Sequence, residues 1–336
     1  MKSKSFTFGF IGVGQGGCNI ANTFRKLGYS DCVFLNTAKV DLDGLDAPEN
    51  QKLLIGDHAD GAGKDPAEGE RAAKISEDKI RTKIHDLVDC DKVFVCIGSG
   101  GGTGSGAGPL VIEIARDLGR IAVIATLPSK AEIVSDKVKS NALNLLSAVC
   151  DEVDSGSLYP LIVIDNQLMR EVAPIESFRT MWEDGNRYGC SILDVFNTLS
   201  ATPTFLPSVD KNDMKGILDR PGTLFLGQVQ NTHPMVKQQT SRSILKSFTS
   251  GMFLHSDSST AESDCACVIT LPKKVLDESV TVFDLIITGI NEMLDSVPGG
   301  HIHKGFYEEA SSDKMKIFTM SIGDASPRSS VLKRLT

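Results

Sequence analysis

Seven glycines fall within the eleven residues Gly98-Ser99-Gly100-Gly101-Gly102-Thr103-Gly104-Ser105-Gly106-Ala107-Gly108. Each costs backbone entropy and offers no side chain, so the run reads as serving something other than packing. The apolar run Lys92 to Ile97 before it reads as a buried parallel strand, and Pro109 to Leu118 after it as a helix. Strand, glycine loop and helix start together form a cup of N–H donors for an anion, to which Thr103 and Ser105 add hydroxyls. The chemistry expected there is phosphate binding. A flexible Gly/Ser linker is the alternative, but linkers are not usually clamped between a buried strand and a helix.

A second cluster, Gly12-Val13-Gly14-Gln15-Gly16-Gly17-Cys18-Asn19, follows the strand-like run Ser5 to Gly12 and leads into a helix over Ile20 to Leu27. Gly12, Gly14 and Gly17 satisfy G-x-G-x-x-G in its strand–turn–helix setting, so an NAD(P)-dependent oxidoreductase competes as a reading. Such a site usually carries an acid at the tip of the second strand. Here Cys32 to Leu35 ends in Asn36-Thr37, and Asp41 and Asp43 follow only later. A third glycine-bearing loop, Gly56 to Pro66, follows a strand near Lys52 to Ile55. Gly63-Lys64 fails as a Walker P-loop, because the motif's first glycine falls on His58 and its Ser/Thr on Asp65.

The elements that must position these loops alternate. A helical region runs from Pro66 to about Val88, strands over Arg120 to Thr126 and Leu158 to Ile164 flank a helix over Val134 to Val149, and Ile175 to Leu199 reads as one long helix. The expected fold class is α/β: a doubly wound parallel sheet with its ligand over the strand tips, then a smaller α/β domain. In that second part, strands are expected over Gly222 to Val229, Cys265 to Leu271, His301 to Tyr307 and Lys314 to Ile322, with helices over Met235 to Phe248 and Val282 to Leu294. Ser256 to Ser263 reads as a loop and Pro327 to Thr336 as a polar, mildly basic tail. Asp210 and Asp213, three residues apart after two prolines, are equally readable as helix N-caps.

The 336 residues suffice for two domains, and 41% apolar with 23% charged residues is ordinary for a soluble protein. No apolar run approaches the ~20 residues of a membrane helix, and the first residues lead into a strand rather than a signal-peptide core, so a cytoplasmic protein without membrane insertion is expected. A net charge of −8 argues against direct nucleic-acid binding. Eight cysteines are scattered; Cys265 and Cys267 alone are close, with no second pair or nearby His, so no metal site is assigned. His301 and His303 share a strand face and read as a solvated edge.

The unbroken run Gly100 to Gly106 resembles the G-G-G-T-G-[ST]-G signature of the tubulin/FtsZ superfamily, and the likeness extends over nearly the whole chain. Gly12 to Asn19, Phe34 to Thr37, Gly61 to Gly63, Pro128 with Glu132, the long helix and the carboxylate loop each have a counterpart in that family. Gly14-Gln15-Gly16-Gly17, Asn36 to Lys39 and Asp165-Asn166 look particularly like its TubZ branch of plasmid and phage proteins. Two departures stand out: Ser208 replaces the asparagine of N-x-D-x-x-D, and no long acidic linker follows residue 325.

The resemblance implies a GTP-binding domain over 1–173, a central helix over 174–202, an activating domain over 203–325 and a short tail over 326–336. It implies that GTP or GDP, with Mg²⁺, is held by Gly14, Gln15, Gly16, Ala62, Gly63, Gly101, Gly102, Thr103 and Gly104 at the phosphates. Glu132 would hold the ribose, and Asn19, Asn166 and Asn186 the base. Asp210 and Asp213 would act on the nucleotide of the next subunit in a head-to-tail filament. DNA positioning through a DNA-binding adaptor is the expected task, with a cell-division ring as the alternative. A non-hydrolysing GTP binder of the same fold and the oxidoreductase complete the readings.

Overall fold

A computed structural model describes residues 3–119, 121–231, 237–257, 264–278, 280–295, 301–309 and 312–336. Its first half alternates as the sequence predicts: β1 (Phe8–Val13), α1 (Gly14–Lys26), β2 (Cys32–Asn36), α2 (Lys39–Asp43), β3 (Lys52–Leu54), α3 (Pro66–Ile75), α4 (Glu77–Ile84), β4 (Lys92–Gly98), α5 (Gly102–Ala115), β5 (Ala122–Leu127), α6 (Asp136–Asp154) and β6 (Leu161–Asp165). Then come α7 (Asn166–Val172), α8 (Met181–Leu199), α9 (Lys211–Leu218), β7 (Thr223–Asn231), α10 (Lys237–Thr249), β8 (Asp264–Pro272), α11 (Lys273–Glu278), α12 (Val280–Asp295), β9 (His301–Glu309), β10 (Met315–Gly323) and α13 (Arg328–Leu335). Arg120, Met235, Val236 and residues 258–263 of the Ser-rich loop lie outside the described residues.

The strands join one ten-stranded sheet in the order β3-β2-β1-β4-β5-β6-β7-β10-β8-β9. From β3 to β6 it is parallel, and strand order reverses beside β1, the switch point of a doubly wound fold. Alternation along β1 sends Phe8 and Phe10 to one core with Phe24 of α1 and Phe196 of α8. Ile11 and Val13 go to another with Ala72 of α3 and Val111 of α5. Leu161 pairs with Thr223 between β6 and β7, and an antiparallel bridge of Ile164 with Phe253 also ties β6 to the second half, where β7–β10 and β10–β8 are antiparallel and β8–β9 parallel. A third core under α10 and α12 gathers Ile244, Ile269, Ile286 and Phe306.

Two elements differ from expectation. The long helix starts at Met181, not Ile175, because side chains take the backbone donors ahead of it. Asp184 accepts from the Glu176 N–H at 3.2 Å, and Ser177 Oγ from the Thr180 N–H at 3.2 Å. The expected polar tail is mostly α13, with Val331 and Leu335 buried one turn apart. Arg334 Nε and Nη2 each donate to Asp165 at 2.9 Å, docking this helix at the tip of β6.

Candidate functional site

The carboxyl tips of the parallel strands open into a cleft of about 660 Å³. Helix α1 begins at Gly14 and α5 at Gly102, not at Ile20 and Pro109, so both glycine runs form the first turns of helices. A Cβ on Gly14 would lie 2.9 Å from the Gly104 nitrogen, one on Gly16 3.2 Å from the Gly98 Cα, and one on Gly102 2.6 Å from the Asp65 nitrogen. These glycines therefore do serve packing, contrary to the expectation from entropy alone: they bring two helix starts and the loop before α3 to backbone contact. The same lack of side chains leaves donors open. Neither α1 nor α5 has a side-chain N-cap or an acid in its first turn, whereas Asp65 caps α3 through the Ala67 N–H. Two uncapped helix starts side by side form an anion site.

The hydroxyls are less free than expected. Thr103 Oγ1 lies 2.6 Å from Thr37 Oγ1, and Ser105 Oγ turns back to the Gly101 carbonyl of its own helix.

All thirteen residues named for ligand binding line this one cleft. Gly14, Gln15, Gly16 and Asn19 come from α1, Ala62 and Gly63 from the loop before α3, and Gly101, Gly102, Thr103 and Gly104 from the start of α5. At the far end, Asn166 Nδ2 donates to both Glu132 oxygens at 3.1 Å, and Glu132 Oε2 accepts from the Ser129 N–H at 2.8 Å. Asn186 joins them from α8. The cleft also holds residues not singled out in the sequence for this role: Trp182, Asp41, Asp60 and Lys64. In the sequence Trp182 counts only toward the long helix, yet it stands four residues before Asn186 and so on the same helix face, which is the signal that places it.

Asp210 and Asp213 lie elsewhere. Asp210 Oδ1 accepts from the Asn212 N–H at 2.7 Å and the Asp213 N–H at 2.9 Å, and Asp213 Oδ2 accepts from the Asp210 N–H at 3.0 Å. This is a reciprocal capping box on α9. The remaining Asp213 oxygen is 2.9 Å from His303 Nδ1 on β9, so His303 is not merely part of a solvated edge. Helix α9 is fixed to the amino end of β4: Lys92 Nζ donates to the Leu218 carbonyl at 2.8 Å and to Asp219 at 3.1 Å, and Lys211 Nζ to Asp91 at 3.2 Å. The cup sits past Gly98 at the other end of β4. At about 3.3 Å per residue, the two acids stand roughly 20 Å from the cleft of their own molecule.

Cys265 and Cys267 are buried in the third core, where burial pushes both thiols up to about 12.

Residues 8–174 match the model of the Tubulin/FtsZ family, GTPase domain. The chain is a member of the tubulin/FtsZ superfamily. Cell division protein FtsZ 1 of Pyrococcus horikoshii is 34% identical over 224 residues, covering 65% of this chain but only 56% of that relative's length. The tubulin-like protein CetZ of Pyrococcus abyssi is 26% identical over 328 residues, 93% of this chain and 84% of that one. Among solved structures, a GTPγS-form protofilament of TubZ from Bacillus thuringiensis serovar israelensis superposes with a TM-score of 0.79 at 21% identity, covering 99% of this chain and 92% of that one. The continuous ten-stranded sheet is thus a tubulin/FtsZ fold.

Proposed function

We propose that this member of the superfamily is a polymerising GTPase that hydrolyses GTP to GDP and phosphate at head-to-tail contacts between copies. The observation that carries the reading is the separation of roughly 20 Å, along β4, between Asp210 and Asp213 and the cleft. Acids at one pole reach a nucleotide only in the cleft of the next molecule, and a contact of that kind repeats without closing. Exposed apolar side chains at both poles support the association: Val40 and Val134 beside the cleft, and Phe205, 77% exposed, on the loop leading to Asp210. The TubZ structure similar to this chain is itself a protofilament.

The cleft fits the nucleotide. The uncapped amides of α1 and α5 take phosphate oxygens, Glu132 takes ribose hydroxyls, Trp182 offers a ring face, and the amides of Asn19, Asn166 and Asn186 match guanine's mixed donors and acceptors. Among the described residues the lining carries the carboxylates Asp41, Asp60 and Glu132 against one lysine, so a divalent cation suits a polyphosphate there. Mg²⁺ bound with the nucleotide would neutralise phosphate charge. Asp210 and Asp213, with their rotamers locked by the capping box, then orient and polarise the attacking water on the neighbouring molecule. The division into 1–173, 174–202, 203–325 and 326–336 is supported by the change from parallel strands up to β6 to antiparallel pairing of β7, β10 and β8.

For the cellular task we carry DNA positioning through an adaptor, on the likeness to TubZ over 99% of the chain. A division-ring role is favoured instead by the FtsZ 1 relative. A fluorescent fusion separates them: filaments that travel with a DNA element, or a stationary medial ring. The biochemical reading is tested by phosphate release and light scattering against protein concentration, with GTP and with NAD. Turnover per molecule must rise with concentration and with GTP-dependent scattering. Equal turnover by dilute monomer would overturn the shared site.

A further inference from the structure

Lys64 is the one cationic residue among the described residues that line the cleft, and the same lining holds three carboxylates. It is also the one described non-glycine residue with positive φ, at 60°. A side chain in that left-handed region is strained, and the neighbouring Gly61 and Gly63 adopt the region freely at 89° and 53°. For the backbone alone glycine would serve better at 64, so what lysine adds at this position is its side chain. The backbone is pinned, because the Lys64 carbonyl accepts from Asn141 Nδ2 at 3.0 Å. Among the described residues nothing pairs with the ammonium.

Its position selects the ligand atom. Glu132 and Asn166 follow β5 and β6, the glycine cup follows β1 and β4, and the Lys64 loop follows β3, on the opposite edge of the parallel strands. A nucleotide with its base beside Asn166 therefore runs its phosphates across the cup toward Lys64. Asp65, the next residue, is in backbone contact with the start of α5. Gly63-Lys64 is no Walker motif, yet the loop brings an ammonium to the same chemistry from across the cup.

We infer that Lys64 binds the terminal phosphate of a nucleoside triphosphate and sets the preference for triphosphate over diphosphate, an inference that rests on the proposed guanine-nucleotide cleft. A point charge on a four-carbon stem suits a group that is present in one ligand and absent in the other. The test is calorimetric titration of the full chain with GTPγS and with GDP, in Mg²⁺, for the parent, Lys64→Gly, Lys64→Gln and Lys64→Arg. Glycine removes strain as well as charge, so that variant melts no lower than the parent. Lys64→Gly and Lys64→Gln should lose about ten- to hundredfold in GTPγS affinity with GDP affinity held, and Lys64→Arg should keep most of the preference. An unchanged GTPγS-to-GDP ratio in the glycine and glutamine variants, or equal loss of both ligands, overturns the role of Lys64 while leaving the cleft intact. A parent chain that binds neither nucleotide overturns the cleft reading and this inference together.

Discussion

Asp210→Asn separates helix capping from chemistry. The Asp210 carboxylate takes two backbone N–H groups at 2.7 and 2.9 Å, and asparagine accepts at an N-cap as well as aspartate does. The Asn variant should therefore melt within about 1 °C of the parent. Asp210→Ala forfeits the cap, a loss of about 1–2 kcal/mol, or about 1–3 °C at this chain size. What asparagine cannot supply is negative charge beside the neighbour's water and terminal phosphate. Removing one preorganised electrostatic group of this kind costs about 3–4 kcal/mol in the transition state, on the order of a hundred- to thousandfold in kcat. Asp210→Asn should thus bind GTP and sediment as filaments like the parent, while phosphate release from those filaments falls at least about a hundredfold. If it hydrolyses GTP at the parental rate and Asp210→Ala slows only with its lost stability, the carboxylate is a cap alone and the reasoning is wrong.

The cleft and the last helix yield further tests. Gly101 is the N-cap of α5, extended at φ −92°, with nothing within 4 Å of an added Cβ. Gly101→Asp should cap the helix and stabilise the fold by about 0.5–1 kcal/mol while its carboxylate occupies the phosphate donors, so nucleotide binding measured by calorimetry is lost. Mixing it with Asp210→Asn should restore turnover, since one supplies acids and the other a cleft. Arg334→Ala leaves Asp165, 1% exposed, with only the Gln167 and Leu168 N–H groups among the described residues; a loss of about 2–3 kcal/mol in urea unfolding is expected. Burial raises the Asp154 carboxyl, but the Ser326 N–H and hydroxyl and the Arg328 guanidinium outweigh it and hold it below the ordinary 3.8. A depressed carboxylate stabilises the fold fully above its unfolded value and loses that contribution as pH falls through its folded one. The stability gap between the parent and Asp154→Asn, followed by circular dichroism melts, should be flat from about pH 5 to 8 and close below about pH 4.

What the sequence makes legible follows from local physics. Lys92 to Ile97 and Arg120 to Thr126 read as strands of a parallel sheet because burial on both faces demands continuous apolar runs, and parallel strands place every loop that follows them at one edge. That rule is enough to gather Gly14, Ala62, Gly101, Glu132 and Asn166 into one cleft although they are scattered along the chain. The start of α5 is not legible, because glycine's low intrinsic helix propensity argues for a loop. Only the close approach of Asp65 and Gly98 makes a helix of glycines the stable arrangement. The His303 contact to Asp213 joins β9 to α9, elements distant in sequence, and no local pattern announces it.

Lys64 shows where motif reading stops. A Walker lysine is recognised by fixed spacing from its own glycines, and at residues 58 and 65 that spacing fails. The physical requirement behind the motif is only that a cation reach the phosphates from a loop whose backbone is held in place, and a strained φ beside a relaxed glycine is how this loop meets it. Strain of that kind is a property of φ and of the carbonyl's partner, Asn141 on α6, neither of which any window of sequence around residue 64 contains. The same holds at the other pole, where Asp210 and Asp213 are indistinguishable in sequence from caps, and are caps. What sets them apart is the length of β4 between them and the cleft, which makes a second molecule a requirement of the proposed chemistry.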